Sequence, residues 1–251
     1  MKDKTLPSTM NAWPTNEHVE IRQRIAAHQK ADEIIQGSGW ADGKGCAIGC
    51  SLDRYDHEEY ARVVLGNNDR NDGIKLARLI DRLHEGQDIK AAVKWPGRVA
   101  RALKPGADTS LVLARWFVWL LATELKNHDK AGHCARVAAL YQRRVSGDDH
   151  GGKEWRSAAS AAASAAANAS AYAATEAAAY VSASSSAYAA AAAASSAAAS
   201  DAAADAADAA AASATEAAAD ASAAASAAHA ARLESYERMA DKLITIMYGT
   251  D

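Results

Sequence analysis

Between Lys153 and Tyr248 the chain contains no glycine and no proline. All four prolines lie before residue 106, and the single phenylalanine and five of the six tryptophans lie before residue 152. The lack of breakers excludes any stop written into the C-terminal part. The alanine that dominates Ser157 to Ala231 has the best intrinsic helix propensity, so this stretch reads as helix. The lack of large side chains there excludes an ordinary core, because alanine buries little apolar area per residue. A globular unit has to be built from the residues before it.

Other shortages narrow the function. Cysteine is scarce, with only Cys46, Cys50 and Cys134, and Met1 to Asn11 is polar rather than an apolar leader, so a reducing cytosol is the expected setting. No apolar run is long enough to cross a bilayer: the strongest, Leu111 to Ala122, is short and carries Arg115, and reads as a buried core helix. Surplus positive charge is missing as well. Residues 1–152 hold 23 Lys and Arg against 20 Asp and Glu, and the remainder holds 5 against 11, which argues against a nucleic-acid partner. No segment sustains period-two alternation, so the expected fold is all-α without a sheet.

What is present organises into a helical domain over residues 1–152, an Ala-rich helical segment over 153–231 and a short amphipathic helix over 232–251. Thr15 can cap a helix running to about Ile35. Asp56, three residues before Glu59, has capping-box spacing for a helix that Gly66 ends. Asp72 is placed to cap the helix through Leu83, and Asp88 opens one that Pro96 should stop. Asp108 is placed to cap the aromatic helix, which runs to Leu125, and Ala131 to Val145 gives a last amphipathic helix. Trp116, Phe117 and Trp119 lie on the one segment that is apolar nearly all round, which places it at the centre of the core.

Three motifs, GKGCAIGC at 43–50, LARLIDRLHEG at 76–86 and KWPGRVARALKPGADTSLV at 94–112, together resemble a family of bacteriophage and bacterial proteins to which no activity is attached. Its members also carry an Ala-rich helical tail ending in an ADKLI-like helix, matched here by Ala240 to Ile244. The resemblance implies a phage or prophage origin and supplies no mechanism; together with the lack of a catalytic signature it leads to the expectation of a protein partner from host or phage, in the cytoplasm of a bacterial host.

The Ala-rich segment repeats itself: ATEAAAYVSAS at 174–184 returns as ATEAAADASAA at 214–224. A single straight helix from Glu154 to Met247 would reach about 140 Å, and a fold-back near Ser182 to Ser186 or at Ser200-Asp201 competes with it and is favoured. In the last helix Leu233, Tyr236, Ala240, Leu243 and Met247 step by three and four. That stripe suits docking on the helices before it, or a seam between copies of the chain through Leu233, Tyr236, Leu243 and Met247.

The candidate chemistry centres on the glycine loop Gly37 to Cys50. Gly43, Lys44 and Gly45 ahead of a helix can bind an anion through backbone amides, with Cys46 beside them and Trp40 as a stacking surface, although no Ser or Thr follows the lysine as a phosphate-binding P-loop requires. Cys46 in the first turn of a helix, with His57 as base, is the alternative thiol nucleophile, for which no orienting third residue is evident. Cys46, Cys50, His57, His133 and Cys134 form an alternative metal set, poorly matched to paired zinc-ligand spacing. Free cysteines are usually buried, and CAIGC is small and apolar, so two core thiols are the simplest expectation. The reading that follows is a non-enzymatic interaction module without a cofactor, which can interfere with a host defence pathway and uses its Ala-rich tail as spacer or assembly element. The alternative is a small-molecule or phosphate binder, or a thiol enzyme, at the Gly43 to Cys50 loop.

Overall fold

The computed structural model describes residues 15–67, 70–104, 107–126, 132–148, 152–158, 160–161 and 222–249. Helices α1 (Thr15–Lys30), α2 (Ala47–Leu52), α3 (His57–Glu59), α4 (Arg70–Gly86), α5 (Ile89–Ala102), α6 (Val112–Trp119), α7 (His133–Val145) and α8 (Ser222–Tyr248) make an all-α fold. Wider π-type turns, Tyr60–Val64 and Leu120–Glu124, extend α3 and α6. The expected caps at Asp56 and Asp88 are present, their carboxylates accepting from the Glu59 and Lys90 amides, each at 2.9 Å, whereas those expected at Asp72 and Asp108 are not: α4 starts at Arg70, ahead of Asp72, and Leu111 is the N-cap of α6, with Asp108 accepting from the Ser110 amide instead.

Three further local expectations need correction. α1 ends at Lys30 rather than Ile35, because Asp32 turns into the left-handed region (φ 58°) and Ile34 leaves the helix to bridge Gly45. The chain is also not free of strands. Trp40–Ala41 (β1) and Lys44–Gly45 (β2) form a minimal antiparallel hairpin, too short to leave an alternating pattern in sequence. Its two turn residues, Asp42 (φ 51°) and Gly43 (φ 79°), carry the double positive φ of the type I′ turn favoured by Asp-Gly. Finally, Pro96 does not stop α5. The buried Trp95, Val99 and Ala102 hold the helix against the core on both sides of it, and that packing outweighs one missing backbone hydrogen bond.

A Cβ at Gly43 would meet no atom within 4 Å, so only backbone strain opposes a side chain there. Gly43→Ala is expected to cost about 1 kcal/mol in urea denaturation, the penalty of a left-handed alanine.

Leu76, Leu79, Ile80 and Leu83 of α4 are fully buried, together with Trp95, Trp116 and Phe117. Two indoles tie elements by their N–H groups, Trp95 to the Ile80 carbonyl (2.9 Å) and Trp116 to the Met239 carbonyl in α8 (3.2 Å). Phe117 stacks on Tyr141, and Tyr141 meets Trp155 edge-on. As the sequence implied, the aromatic helix sits centrally.

The stripe of α8 is consumed within the chain. Tyr236, Met239, Ala240, Leu243 and Met247 are buried in the same cluster as α4, α5 and α6, Leu233 is half-buried, and Arg238 pairs with Glu124 at 2.6 Å. The surface expected to join copies of the chain through Leu233, Tyr236, Leu243 and Met247 is therefore the docking face of α8 on the head. Trp155 and Met247 belong to this one cluster. The choice between fold-back and rod, the hinges expected at Ser182 to Ser186 and Ser200-Asp201, and the Ala strips all lie outside the described residues. Among the described residues no helix is long and apolar enough to cross a membrane.

Candidate functional site

The hairpin exists to hold the loop around Cys46. Glu33 and Ile35 exchange backbone hydrogen bonds with Gly45 (3.0 and 2.9 Å), and the Cys46 amide donates to the Ser38 and Gly39 carbonyls at 3.0 and 3.2 Å. Cys46 is thereby fixed as the extended N-cap of α2, without a side-chain cap bond of its own. Close approach of α2 to the loop requires glycine: a Cβ on Gly45 or Gly49 would stand 2.5 or 2.1 Å from the Gly39 carbonyl oxygen.

On the far side of Cys46 opens a cleft of about 580 Å³. Gly37, Ser38 and Gly39 form one wall, Tyr55 and His57 a second, and α4 the third. α4 contributes Arg78, Asp81, Arg82 and Glu85, whose spacings of three, four and seven put them on one helix face. Asp81 is the centre of this wall. Its Oδ2 accepts from the Tyr55 hydroxyl at 2.8 Å and faces His57 Nε2 at 3.3 Å. Glu85 is anchored too, with Oε2 accepting from the Gly37 amide at 2.7 Å and Oε1 3.3 Å from His84 Nδ1. Gln36 caps the end of α4 by donating to the His84 and Gln87 carbonyls.

The electrostatics follow from burial. Burial alone would raise the Asp81 carboxyl, but hydrogen bonds from His57, Cys46 and Tyr55, with the His57 charge, bring it below the ordinary carboxylate value. Burial, then the negative charge of Asp81 and the hydrogen bond to it, pushes the Cys46 thiol far up. Cys50 is raised by burial to about 11, its Sγ turned to the Gly45 carbonyl at 3.2 Å. Both thiols are core groups, as CAIGC implied, with 1% and 0% exposure.

The structure brings together only part of what the sequence singled out. Cys46 and His57 line the cleft, but both address Asp81, so no thiol–imidazole pair of the nucleophilic kind forms. Gly43 and Lys44 lie on the hairpin, outside the lining, and Gly45 packs under Gly39. Trp40 meets His28 edge-on at 5.4 Å and covers Gly45 and Gly49, so it offers no stacking face to the cleft. Cys134 is buried in α7, which packs on α6, and neighbouring His133 pairs with Arg136 at 2.6 Å. Among the described residues the only set of three potential ligand atoms within 4.8 Å of one another is Cys46, Asp81 and Glu85. Cys50, His57, His133 and Cys134 take no part in it.

Tyr55, Arg78, Asp81, Arg82 and Glu85 were missed from sequence. One signal was available: Asp81 interrupts the apolar stripe of Leu76, Leu79, Ile80 and Leu83, and an acid at a core-facing position is uncommon. A second, more apolar hollow of about 540 Å³ lies between α7 and the end of α6, lined chiefly by Val118, Leu121 and alanines.

No family model, no curated protein and no solved structure matches this chain.

Proposed function

We propose that the chain is a non-enzymatic binding protein whose recognition site is the α4 cleft and whose ligand is a small polar molecule. The observation that carries this reading is the lining itself. A cleft of about 580 Å³ is of small-ligand size, and it presents arginines and carboxylates side by side from one helix. Against a thiol enzyme stands the state of Cys46, buried and held protonated by its surroundings. The phosphate reading moves with the cleft, from the Gly43-Lys44 turn to Arg78 and Arg82.

A protein partner is the second reading. The mouth of the cleft carries Tyr55, half exposed, and the exposed Arg82, residue types that anchor protein interfaces. In the phage setting of the resemblance, such a partner belongs to host or phage, interference with host defence is its consequence, and the Ala-rich segment serves as spacer.

Native mass spectrometry of the full chain purified from bacteria tests both, with a Tyr55→Ala/Arg82→Glu variant as control. Extra mass on the wild type and not on the variant is expected, and its size separates small molecule from protein. Equal spectra overturn the cleft as recognition site. Alkylation of native Cys46 is expected to be at least about 100-fold slower than that of a free thiol at neutral pH, given how far its thiolate is disfavoured. Fast alkylation would return the thiol-enzyme reading.

A further inference from the structure

We propose that Cys46, Asp81 and Glu85 form the protein side of a binding site for a divalent metal ion of the zinc class, an inference that rests on the α4 cleft being the binding site.

The three residues come from two separate parts of the chain. The N-cap of α2 supplies the sulfur, and two positions four apart on α4 supply the carboxylates, so the helix itself sets the two acids side by side. Their donor atoms lie within 4.8 Å of one another. Ligands at zinc bond lengths of about 2.3 Å to sulfur and about 2.1 Å to oxygen stand roughly 3.4–3.6 Å apart in a tetrahedron. A contraction of about an ångström closes the set, within the range of carboxylate rotation on fixed backbones.

A second observation points to a ligand independently. Asp81 is only 8% exposed, and its Oδ1 has less than 1 Å² accessible with no N–H or O–H donor to meet it. A buried carboxylate oxygen with at most the weak S–H donor of Cys46 beside it is poorly satisfied, and a cation that takes the place of that proton removes the cost. The outer contacts are those of a supported metal site. Tyr55 and His57 hold the other Asp81 oxygen, and the Gly37 amide and His84 hold Glu85. Ligating carboxylates are characteristically fixed in this way.

The donor set selects the metal. Magnesium and calcium take oxygen ligands and have no use for a thiolate, whereas zinc accepts sulfur and carboxylate oxygen together. Binding replaces the thiol proton: the S–H bond breaks, the sulfur pair goes to the metal, and one proton is released to solvent per ion bound. A fourth ligand, water or a group of the bound molecule, would complete the tetrahedron.

The test uses the full chain stripped with a chelator, then titrated with zinc against a chromophoric competitor and, separately, with cobalt(II). One zinc per chain is expected, together with a sulfur-to-cobalt charge-transfer band that reports Cys46 ligation. Affinity should fall at least about tenfold in Cys46→Ser and in Glu85→Gln, the scale of loss when a metal site is weakened. Cys134→Ser should leave it unchanged. Glu85→Gln keeps the test independent of folding, since Glu85 is only partly buried, and circular dichroism of each variant checks the fold. Absence of stoichiometric zinc, absence of the cobalt–sulfur band, or zinc affinity unchanged in both variants overturns the metal site. If metal binding fails while a cleft-dependent ligand still appears by native mass spectrometry, the binding function stands without it.

Discussion

Gly49→Ala is expected to lower the unfolding free energy by about 2–3 kcal/mol, whereas Gly97→Ala, the same change in another helix, is expected to raise it by about 0.5–1 kcal/mol. Helix propensity favours alanine at both positions by about that smaller amount. Space decides the difference. A Cβ on Gly49 would stand 2.1 Å from the Gly39 carbonyl oxygen, a backbone atom fixed by the hairpin. Relief requires α2 to move off the loop, which pulls the Cys46 amide from the Ser38 and Gly39 carbonyls. Overpacking of this kind costs about 1–3 kcal/mol before the loss of those hydrogen bonds. At Gly97 the nearest atom is the Arg101 guanidinium at 3.3 Å, the movable end of a long side chain, so propensity prevails. Urea unfolding of the two variants measures both signs. If Gly49→Ala proves neutral, the loop does not clamp the N-cap of α2 and the cleft wall is looser than described.

The second large effect concerns α8. Leu243→Ala is expected to destabilise the head by about 2–5 kcal/mol, the range for a leucine removed from a closed core. Leu243 is fully buried, on the face whose Met239 carbonyl receives the Trp116 indole. The variant should therefore lower the urea midpoint of the whole protein. It should also weaken the near-ultraviolet dichroism of the tryptophans, because the aromatic centre loses its cover. An unchanged midpoint with an altered sedimentation mass would instead return α8 to the role of a seam between chains. Glu234 and Glu237, exposed on the same helix, provide control positions where alanine should change stability by no more than about 0.5 kcal/mol.

The three-four spacing of Tyr236, Ala240, Leu243 and Met247 was legible in sequence, but its partner was not. A heptad stripe states that a face is apolar and does not say what covers it. Only the tertiary structure sets it against α4, α5 and α6. The site follows the same division. Cys46 and His57 stood out because their types carry chemistry, and both do line the cleft. The hub that gathers them, Asp81, is one acid within an ordinary amphipathic helix, and its importance arises from Tyr55, His57 and Cys46 arriving from elsewhere.

The amino-acid sequence alone determined the helical class, the caps at Asp56 and Asp88, the central place of the Trp116 helix and the burial of CAIGC. Each of these depends on propensity, local hydrogen bonding or the amount of apolar surface, which neighbouring residues suffice to set. Tertiary structure decided the end of α1, the passage of α5 through Pro96, the docking of α8 and the charge on the cleft. In those places the governing energy is a contact between residues far apart in the chain: Ile34 on Gly45, Trp95 on Ile80, Met239 on Trp116, Cys46 on Asp81. Local preference yields there because a buried contact outweighs the loss of one helix hydrogen bond or a strained turn.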